Sequence, residues 1–437
     1  MSDAERMSAL AVGERIARVF DAGSFAAEDT GGAVLGGRAR LDGRPVVVAA
    51  FDRTQQGGSI GRRESERLTA AFRAAARERQ PLVLLVDSAG ARLTEGIEAL
   101  GAFRAMFRAG LDGKAQGVPT LSLLARNAFG GGSMVSCLGE TRVYSDATLL
   151  AMSGPAIIEG LGGPGELDAR DKQAVRALMG GAARAVHGGV ERHVADDPAA
   201  FRAAAVEWVR AASYPAAPDL AARHALLRER LSAAGAAPSP PLPNLDLPEP
   251  LEDQLTALLP EGYTANLNGG VLWGAARAGG AMFSLAGLVG GGQVGARATW
   301  ELAEAVLRLE QADPRPVLVL LDASGHATRR FDETVILSAY IVHLAEVLHA
   351  VGSRRPLSLL VTGAAAGGIM PALASPARRV WALTQAVIRE LPREAVALVL
   401  GDAEDESVTP AALTGAGVVE RVLDVDEFAR CAPDIFD

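Results

Sequence analysis

Two glycine-rich loops at matching positions constrain this chain more than any other feature of its sequence. The first, Gly130–Gly132, follows the apolar run 121–125, and the second, Gly367–Gly368, follows the apolar run 357–361. Each run predicts a buried strand, and the residues after each loop predict the start of a helix. Glycine at such a turn lets backbone N–H groups approach a ligand closely and face a developing negative charge. The fold must therefore provide this strand–loop–helix arrangement twice.

Further landmarks repeat in the same order and with nearly the same spacing. Asp87 ends one apolar run, and Asp322 ends another run 235 positions later. The glycine-containing segment 57–61 is matched by the segment 291–295, which lies 234 positions later. A period of this length is too long for a solenoid. The repeat therefore predicts two copies of one domain.

Each copy alternates predicted strands with predicted helices. In the first copy, residues 82–86 are apolar throughout, which is typical of a strand buried on both faces of a parallel sheet. Residues 64–79 carry apolar side chains at helical spacing. Repeated units of this kind predict a mainly parallel α/β sheet with helices on its faces. We expect a first domain at residues 1–235, a proline-rich linker at 236–250 and a second domain at 251–437.

Composition agrees with a globular two-domain protein. Of the 437 residues 49% are hydrophobic, yet no stretch approaches the roughly 20 uncharged apolar residues of a membrane helix. The net charge of −9 and the absence of a basic run argue against nucleic-acid binding. The charged N-terminus has no apolar signal core, and Cys137 and Cys431 are too few for a zinc cluster or a disulfide scaffold, so we expect a cytoplasmic protein. The six histidines show no spacing typical of metal ligands, so we expect no metal site.

The glycine loops predict backbone oxyanion holes, in which N–H groups stabilise an enolate or a tetrahedral oxyanion. The alternative is that the glycines only permit close packing of a strand on a helix; their repetition favours the oxyanion hole. Other glycine motifs do not fit. A phosphate loop would need a nearby lysine, the segment 57–61 lacks the dinucleotide-binding pattern, and residues 131–135 do not form a nucleophile elbow. Ser133 has no histidine partner at a suitable spacing, and we predict that it is a helix N-cap.

Several segments resemble one enzyme family. Residues 14–25, residues 42–61 with their Gly-Gly-Ser-Ile-Gly stretch, and residues 87–96 are similar to biotin-linked acyl-CoA carboxyltransferases. The nearest resemblance is to their relative, biotin-independent malonate decarboxylase. Residues 149–159 resemble part of its β subunit, and residues 252–425 resemble its γ subunit. The resemblance covers most of the chain and implies a fusion of β and γ subunits.

This resemblance implies an α/β fold with two crotonase-like carboxyltransferase domains in tandem. It also implies two facing oxyanion holes, one for the thioester enolate and one that in the carboxyltransferases holds the biotin ureido oxygen. The catalytic residues that it implies are Gly130, Gly131 and Gly132 in the first hole and Gly367, Gly368 and Ile369 in the second. The substrate-binding residues that it implies are Gly57, Gly58, Ser59, Ala89, Gly90 and Arg92, with Ala89 in place of a family glycine.

His326 is a candidate general acid. It follows a buried strand through a short loop, where active-site loops of parallel sheets lie. We predict that it protonates the enolate carbon and that the reaction titrates in the ordinary histidine range. The alternative is that water protonates the enolate and His326 only orders its loop through Asp322. Arg92 and Arg329 are candidates for binding a carboxylate, or are ordinary surface residues. Asp87 and Asp322 are expected to cap or turn the chain rather than to catalyse.

Three functions remain open from the sequence. The first is decarboxylation of a malonyl thioester, the second is a carboxyltransferase subunit of a biotin-dependent acyl-CoA carboxylase, and the third is a non-catalytic scaffold. The resemblance implies no cofactor on this chain and a substrate carried by the phosphopantetheine group of an acyl carrier protein or by CoA. The implied partners are an acyl carrier protein and a malonyl-loading transferase subunit, within a homo- or hetero-oligomer. We also expect Gly131→Val to remove turnover while leaving the fold largely intact.

Overall fold

The chain forms two compact units. The computed structural model describes residues 5–29, 31–216, 219–238, 247–312, 314–401 and 408–437. The first unit comprises Met1–Pro218 and Thr328–Ala339, and the second comprises Asp219–Ala327 and Tyr340–Asp437. A short segment from the second half of the sequence therefore belongs to the first unit.

An eight-stranded sheet forms the centre of the first unit. Its strands are β1 (Ala26–Asp29), β2 (Val34–Leu41), β3 (Arg44–Phe51), β4 (Leu82–Ser88), β5 (Thr120–Phe129), β6 (Thr141–Tyr144), β7 (Leu149–Ala151) and β8 (Glu191–His193). The order across the sheet is β1-β2-β3-β4-β5-β6-β8, and β7 pairs with the last residues of β5. The first three strands are antiparallel, and the pairs from β3 onward are parallel.

Helices connect these strands. They are α1 (Val12–Val19), α2 (Arg62–Glu78), α3 (Gly96–Ala115), α4 (Gly131–Cys137), α5 (Pro155–Gly162), α6 (Lys172–Met179), α7 (Gly181–Ala185) and α8 (Pro198–Ala211). Helix α2 buries Leu68, Ala71, Phe72 and Ala75 at the predicted spacing. Alternate residues of β3 to β6 form one core cluster with apolar side chains of α1 and α8. Every residue of β4 is buried, as its uninterrupted apolar run predicts.

The second unit repeats this sheet. Its strands are β9 (Tyr263–Asn268), β10 (Val271–Ala278), β11 (Ala281–Val294), β12 (Val317–His326), β13 (Leu357–Ala365), β14 (Val380–Leu383), β15 (Val387–Ile388) and β16 (Arg421–Leu423). The order is β16-β14-β13-β12-β11-β10-β9, with β15 paired to β13. Strand for strand, this is the order of the first sheet. The predicted fold class, two crotonase-like carboxyltransferase domains in tandem, is confirmed.

The remaining helices follow in chain order. They are α9 (Leu220–Ala233), α10 (Glu249–Leu258), α11 (Ala296–Ala312), α12 (Arg330–Thr334), α13 (Leu337–Gly352), α14 (Ile369–Ala374), α15 (Arg393–Leu400), α16 (Pro410–Gly415) and α17 (Val425–Cys431). Helices α10 and α17 cover one face of the second sheet with Leu255, Leu258 and Phe428.

The compact units differ in extent from the predicted domains. We expected residues 220–233 in the first domain, but α9 lies in the second unit. The reason is a set of polar contacts that sequence spacing does not reveal: Arg223 pairs with Glu346 at 2.6 Å, and the Tyr340 hydroxyl donates to the Leu227 carbonyl oxygen. Of the predicted linker, residues 239–246 lie outside the described residues.

The described part of the chain was searched for membrane-spanning helices and for clusters of metal-binding side chains. It contains no helix that is long and apolar enough to cross a membrane. It also contains no group of three or more His, Cys, Asp or Glu side chains that could hold a metal ion.

Candidate active site

The first glycine loop links the end of β5 to the start of α4. Gly130 is the N-cap of α4, with φ of 49° and ψ of −121°, a backbone conformation that favours glycine. Its N–H donates to the carbonyl oxygens of Ala151 and Met152, both at 3.1 Å. Its carbonyl oxygen accepts from the Ser133 N–H at 3.0 Å and from the Ser133 hydroxyl at 2.7 Å. Ser133 is therefore not the N-cap that we predicted, because the helix begins two residues before it.

The next two amides, those of Gly131 and Gly132, differ from the Gly130 amide. Among the described residues, the N–H groups of Gly131 and Gly132 donate no hydrogen bond. Such orphan N–H groups are a regular feature of a helix N-terminus and need a partner from water or a ligand. Together with the positive end of the helix they suit an oxygen that carries negative charge.

Both glycines also pack closely against their neighbours. A Cβ atom added at Gly131 would lie 2.7 Å from the Phe103 ring, and one added at Gly132 would lie 2.6 Å from Ser88 Cβ. Our expectation that Gly131→Val leaves the fold largely intact therefore does not fit the structure. A larger residue at either position would disturb packing as well as the amide site, so another variant is needed to test the site.

The predicted substrate-binding segments lie beside this loop. The Ala89 N–H donates to the Gly57 carbonyl oxygen at 3.0 Å. Gly58, with φ of 69°, approaches so closely that an added Cβ would lie 2.1 Å from the Asp87 carbonyl oxygen. A Cβ added at Gly90 would lie 3.2 Å from the Phe129 carbonyl oxygen, at the start of the first glycine loop. The segments are thus brought together as expected, and their contact with substrate remains a prediction.

Arg92 is already engaged within the protein. Its guanidinium contacts the carboxylates of Glu64 at 2.8 Å and Glu95 at 2.9 Å. It also donates to the Ser59 carbonyl oxygen at 2.8 Å and to the Ser59 hydroxyl at 3.1 Å. Burial raises the pKa of Glu64, but hydrogen bonds from the Ala33 N–H and from Arg92 outweigh it and lower that pKa overall. The predicted role of Arg92 as a carboxylate clamp does not fit, because its donors already hold the two segments together.

Each of the paired aspartates accepts a hydrogen bond from a backbone N–H of the neighbouring strand. Asp87 accepts from Arg15 at 2.9 Å and from the Asn127 N–H at 3.4 Å. Asp322 accepts from the Ala364 N–H at 2.8 Å. In each unit, therefore, the aspartate at the end of one strand holds the next strand where it leaves the regular ladder. This agrees with the structural role that we expected.

The second glycine loop also starts with a glycine of positive φ, but its hydrogen-bond partners differ. Gly367 has a φ of 59°. Its N–H donates to the Glu390 carbonyl oxygen at 3.0 Å, just as the Gly130 N–H donates to the carbonyl oxygens of Ala151 and Met152. The Gly368 N–H, however, donates to Nδ1 of His326 at 3.3 Å. Ile369 is the first residue of α14 and is fully buried. The Gly368 N–H therefore has an acceptor in the protein, whereas the equivalent Gly131 N–H of the first loop has none among the described residues.

The two units carry different residues at the position of His326, which is Ala91 in the first unit. Ala91 forms a parallel bridge with Ile60, and His326 pairs in the same way with Val294. Ala91 is exposed and carries no acceptor, whereas the His326 imidazole is buried against the second loop. In the second unit this side chain accepts from the loop amide after the first glycine, Gly368, whereas the equivalent Gly131 amide has no acceptor among the described residues.

The buried environment also changes the titration of His326. Burial lowers the pKa of His326 from 6.5 to about 4. Because Nδ1 accepts a hydrogen bond, the imidazole is neutral with its proton on Nε2. The predicted titration in the ordinary histidine range is therefore corrected to a lower range. At neutral pH, His326 is not an imidazolium acid.

We expect His326 to stay neutral between about pH 5 and pH 8. Its folded-state pKa lies below the unfolded value of 6.5, so protons bind the unfolded chain more readily. The contribution of neutral His326 to the free energy of unfolding is fully present above pH 6.5. It decreases by about 3 kcal/mol as the pH falls toward 4. NMR of the histidine ring protons checks the titration, and His326→Asn, which keeps an acceptor for Gly368, should flatten this part of the stability profile. A His326 ring signal that titrates near pH 6.5 would contradict the assignment.

One buried acid near the first loop was missed by sequence reasoning. Glu333 belongs to the first unit although it lies in the second half of the sequence. Burial raises the pKa of Glu333 to about 7, against the opposing effect of Arg184. Its only signal in the sequence is its place a few residues beyond His326, which does not reveal that this segment leaves the second unit.

Comparison with known families gives two matches within this chain. The family described as carboxyl transferase domain matches residues 12–239, more than half of the chain. The family described as malonate decarboxylase gamma subunit matches residues 290–412.

Curated relatives match shorter stretches. The acetyl-coenzyme A carboxylase carboxyl transferase subunit beta of Sorangium cellulosum is 36% identical over 124 residues, which are 28% of this chain and 44% of the relative. The methylmalonyl-CoA carboxyltransferase 12S subunit of Propionibacterium freudenreichii subsp. shermanii is 30% identical over 168 residues, 38% of this chain and 30% of the relative. The chain thus matches less than half of the length of these relatives.

Solved structures are similar at lower identity. A Pseudomonas malonate decarboxylase hetero-tetramer in complex with malonate has a TM-score of 0.46 and 24% identity, covering 56% of this chain and 94% of that chain. The transcarboxylase 12S hexamer with hydrolyzed methylmalonyl-coenzyme A has a TM-score of 0.42 and 20% identity, covering 97% of this chain and 88% of that chain.

Proposed function

Because this chain belongs to the carboxyl transferase domain family, we propose that it decarboxylates a malonyl thioester without biotin. The observation that carries the proposal is the presence of two family matches in one chain. A carboxyl transferase domain at residues 12–239 is followed by a malonate decarboxylase gamma subunit match at residues 290–412. We interpret the chain as a fusion of decarboxylase β and γ subunits.

The proposed reaction uses the open amides of the first glycine loop. The bond between the α-carbon and the carboxylate of the malonyl group breaks, and CO2 leaves. The electron pair moves through the α-carbon to the thioester oxygen, which becomes an enolate. The N–H groups of Gly131 and Gly132 donate to that oxygen, and a water molecule then gives a proton to the α-carbon, leaving hydroxide and the acetyl thioester. One donor of this kind lowers the barrier by about 3–4 kcal/mol.

The difference between the two loops supports decarboxylation over carboxyl transfer. Decarboxylation develops negative charge on one oxygen, so one open amide site suffices. Transfer to biotin, by the resemblance described above, uses a second oxyanion hole. In this chain the Gly367 and Gly368 amides already donate to Glu390 and His326. The loop of the first unit is therefore the better candidate for the chemistry.

We propose that the malonyl group arrives on the phosphopantetheine of an acyl carrier protein or on CoA, with no cofactor resident on this chain. A malonyl-loading transferase subunit would supply that thioester, and the chain would work within an oligomer in the cytoplasm. The Pseudomonas malonate decarboxylase hetero-tetramer and the transcarboxylase 12S hexamer are similar proteins that form oligomers.

A second candidate is a carboxyltransferase subunit. It is favoured by the curated relatives, which are carboxyl transferase subunits of coenzyme A carboxylases and a methylmalonyl-CoA carboxyltransferase. In that reaction the carboxyl group would pass to or from biotin on another protein rather than leave as CO2.

We expect the purified chain to release CO2 from malonyl-CoA or from a malonyl carrier protein in the absence of biotin. The physical reason is that the open amides stabilise the enolate without any carboxyl acceptor. Radiolabelled CO2 and the acetyl thioester should appear in equal amounts, and avidin added to remove trace biotin should not change the rate. Carboxyl transfer that depends on added biotin would favour the second candidate, and no turnover on either thioester would favour a scaffold.

A further inference from the structure

The segment Thr328–Ala339, called here the 328–339 segment, belongs to the first unit although it comes from the second half of the sequence. The Arg330 N–H donates to the Glu166 carboxylate at 2.6 Å. The Arg184 guanidinium donates to the Glu333 carbonyl oxygen at 2.5 Å. The segment is therefore held at its start and at its middle by side chains of the first unit.

From this position Glu333 reaches the backbone beside the first glycine loop. Its Oε1 accepts from the Ser153 N–H at 3.0 Å. The carbonyl oxygen of Met152, in the same peptide unit, accepts from the Gly130 N–H at 3.1 Å. One peptide unit therefore separates the Glu333 carboxylate from the group that binds the Gly130 amide.

Ser338 reaches the other polar group of Gly130. Its hydroxyl donates to the Ser133 hydroxyl at 2.8 Å, in a buried contact. The Ser133 hydroxyl in turn donates to the Gly130 carbonyl oxygen at 2.7 Å. The 328–339 segment is thus connected to both the N–H and the C=O of Gly130, the residue that sets the direction of the next two amides.

We propose that Glu333 is a positioning residue that holds the first glycine loop in its open-amide conformation, with Ser338 as a second support. This inference rests on the proposed function of that loop. Oε2 of Glu333 has no hydrogen-bond partner among the described residues, and it lies 3.8 Å from Arg184. The carboxylate is fully buried, and a buried acid with one unsatisfied oxygen is costly, so its retention needs a reason beyond packing.

The charge of Glu333 changes near neutral pH. Burial raises its pKa to about 7, while Arg184 and backbone hydrogen bonds oppose that change and Asp332 adds to it. Asp332 is itself paired with Arg329 at 3.1 Å, and His187 Nε2 contacts the carbonyl oxygen of Thr334.

Ionisation of Glu333 affects the rigidity of the loop and the global stability in opposite directions. The ionised carboxylate accepts stronger hydrogen bonds, so the loop should be held more firmly above pH 7. Global stability moves the other way, because a raised folded-state pKa means that the folded protein loses stability as pH rises from 4.5 to about 7. If Glu333 had only a structural role, protection of the loop amides would change with pH in the same direction as the global stability.

The test compares the wild-type chain with Glu333→Gln and with Glu166→Gln over about pH 5.5 to 8.5. Glu166 is the matched control, since it also binds the 328–339 segment, through the Arg330 N–H, and no hydrogen bond joins it to the first glycine loop among the described residues. Hydrogen exchange at Gly130 and turnover of malonyl-CoA are measured at each pH. In the wild type and in Glu166→Gln we expect Gly130 protection and kcat to rise about tenfold through pH 7, with KM nearly constant. In Glu333→Gln both should stay at the low-pH level.

A wild-type pH profile of Gly130 exchange in Glu333→Gln would overturn the proposal. If Glu333→Gln does not fold, the wild-type profile decides, and Gly130 protection that does not rise through pH 7 would overturn the proposal equally. The exchange measurement does not depend on the reaction. A wild-type chain that does not turn over malonyl-CoA, but loses Gly130 protection in Glu333→Gln, would refute the proposed function and leave the positioning role supported.

Discussion

Ala91→His is expected to reduce turnover of malonyl thioesters about 10²–10³-fold, the usual cost of one oxyanion donor. Position 91 in the first unit is equivalent to position 326 in the second, where the imidazole accepts the hydrogen bond of the Gly368 amide. A histidine at position 91 should accept the hydrogen bond of the Gly131 N–H in the same way, so that this N–H is no longer available to the substrate oxygen. Because Ala91 is exposed, the change does not disturb a packed core.

Steady-state kinetics with malonyl-CoA measures this effect. Ala91→Ser is the matched control, because its short side chain should change kcat/KM by only about threefold or less, a difference of well under 1 kcal/mol. His326→Ala should also leave turnover nearly unchanged, since it opens the loop that the proposed reaction does not use. An Ala91→His chain with wild-type kcat/KM and a normal melting curve would refute the oxyanion role of the Gly131 amide.

Arg142→Met is expected to lower the free energy of unfolding by about 3–5 kcal/mol, the cost of leaving one member of a buried ion pair alone. Arg142 and Glu191 are almost completely buried and form two hydrogen bonds, at 2.8 and 2.5 Å. The Tyr144 hydroxyl donates to the same carboxylate at 2.6 Å. The substitution would leave the Glu191 charge in the interior without its partner.

Urea denaturation measures this loss for the two chains under the same conditions. Arg62→Met is the matched control, since Arg62 pairs with Glu66 at 3.2 Å and both side chains are 64% exposed. An exposed pair of this kind contributes about 0–1 kcal/mol. Similar destabilisation by the two substitutions would show that burial of the Arg142–Glu191 pair is not what makes it important.

Much of the fold could be predicted because it is set by local pattern. The apolar run before Asp87 predicts a strand buried on both faces, and β4 is buried along its whole length. The same pattern before Asp322 predicts the equivalent strand, and the two sheets have the same order. The glycine loops are also predictable, since the left-handed backbone at Gly130 and at Gly367 strongly favours glycine.

Details of the candidate site were not predictable in this way. Arg92 is a plausible carboxylate ligand by residue type, but Glu64 and Ser59 already occupy its donors. His326 is a plausible acid by residue type, but the second loop holds it as a buried acceptor with a lowered pKa. The residue type gives the hydrogen bonds that a side chain can form. The partners in the folded protein determine which of its donors and acceptors remain available to a substrate.

The sequence by itself determined that this chain has two α/β copies, each with a glycine loop between a buried strand and a helix. Those features follow from apolar runs and glycine positions, which act over a few residues and are independent of distant contacts. Only the tertiary structure decided that His326 closes the second loop and that Glu333 supports the first. These are contacts between groups far apart in the chain, and their hydrogen-bond geometry and desolvation exist only once the chain has folded.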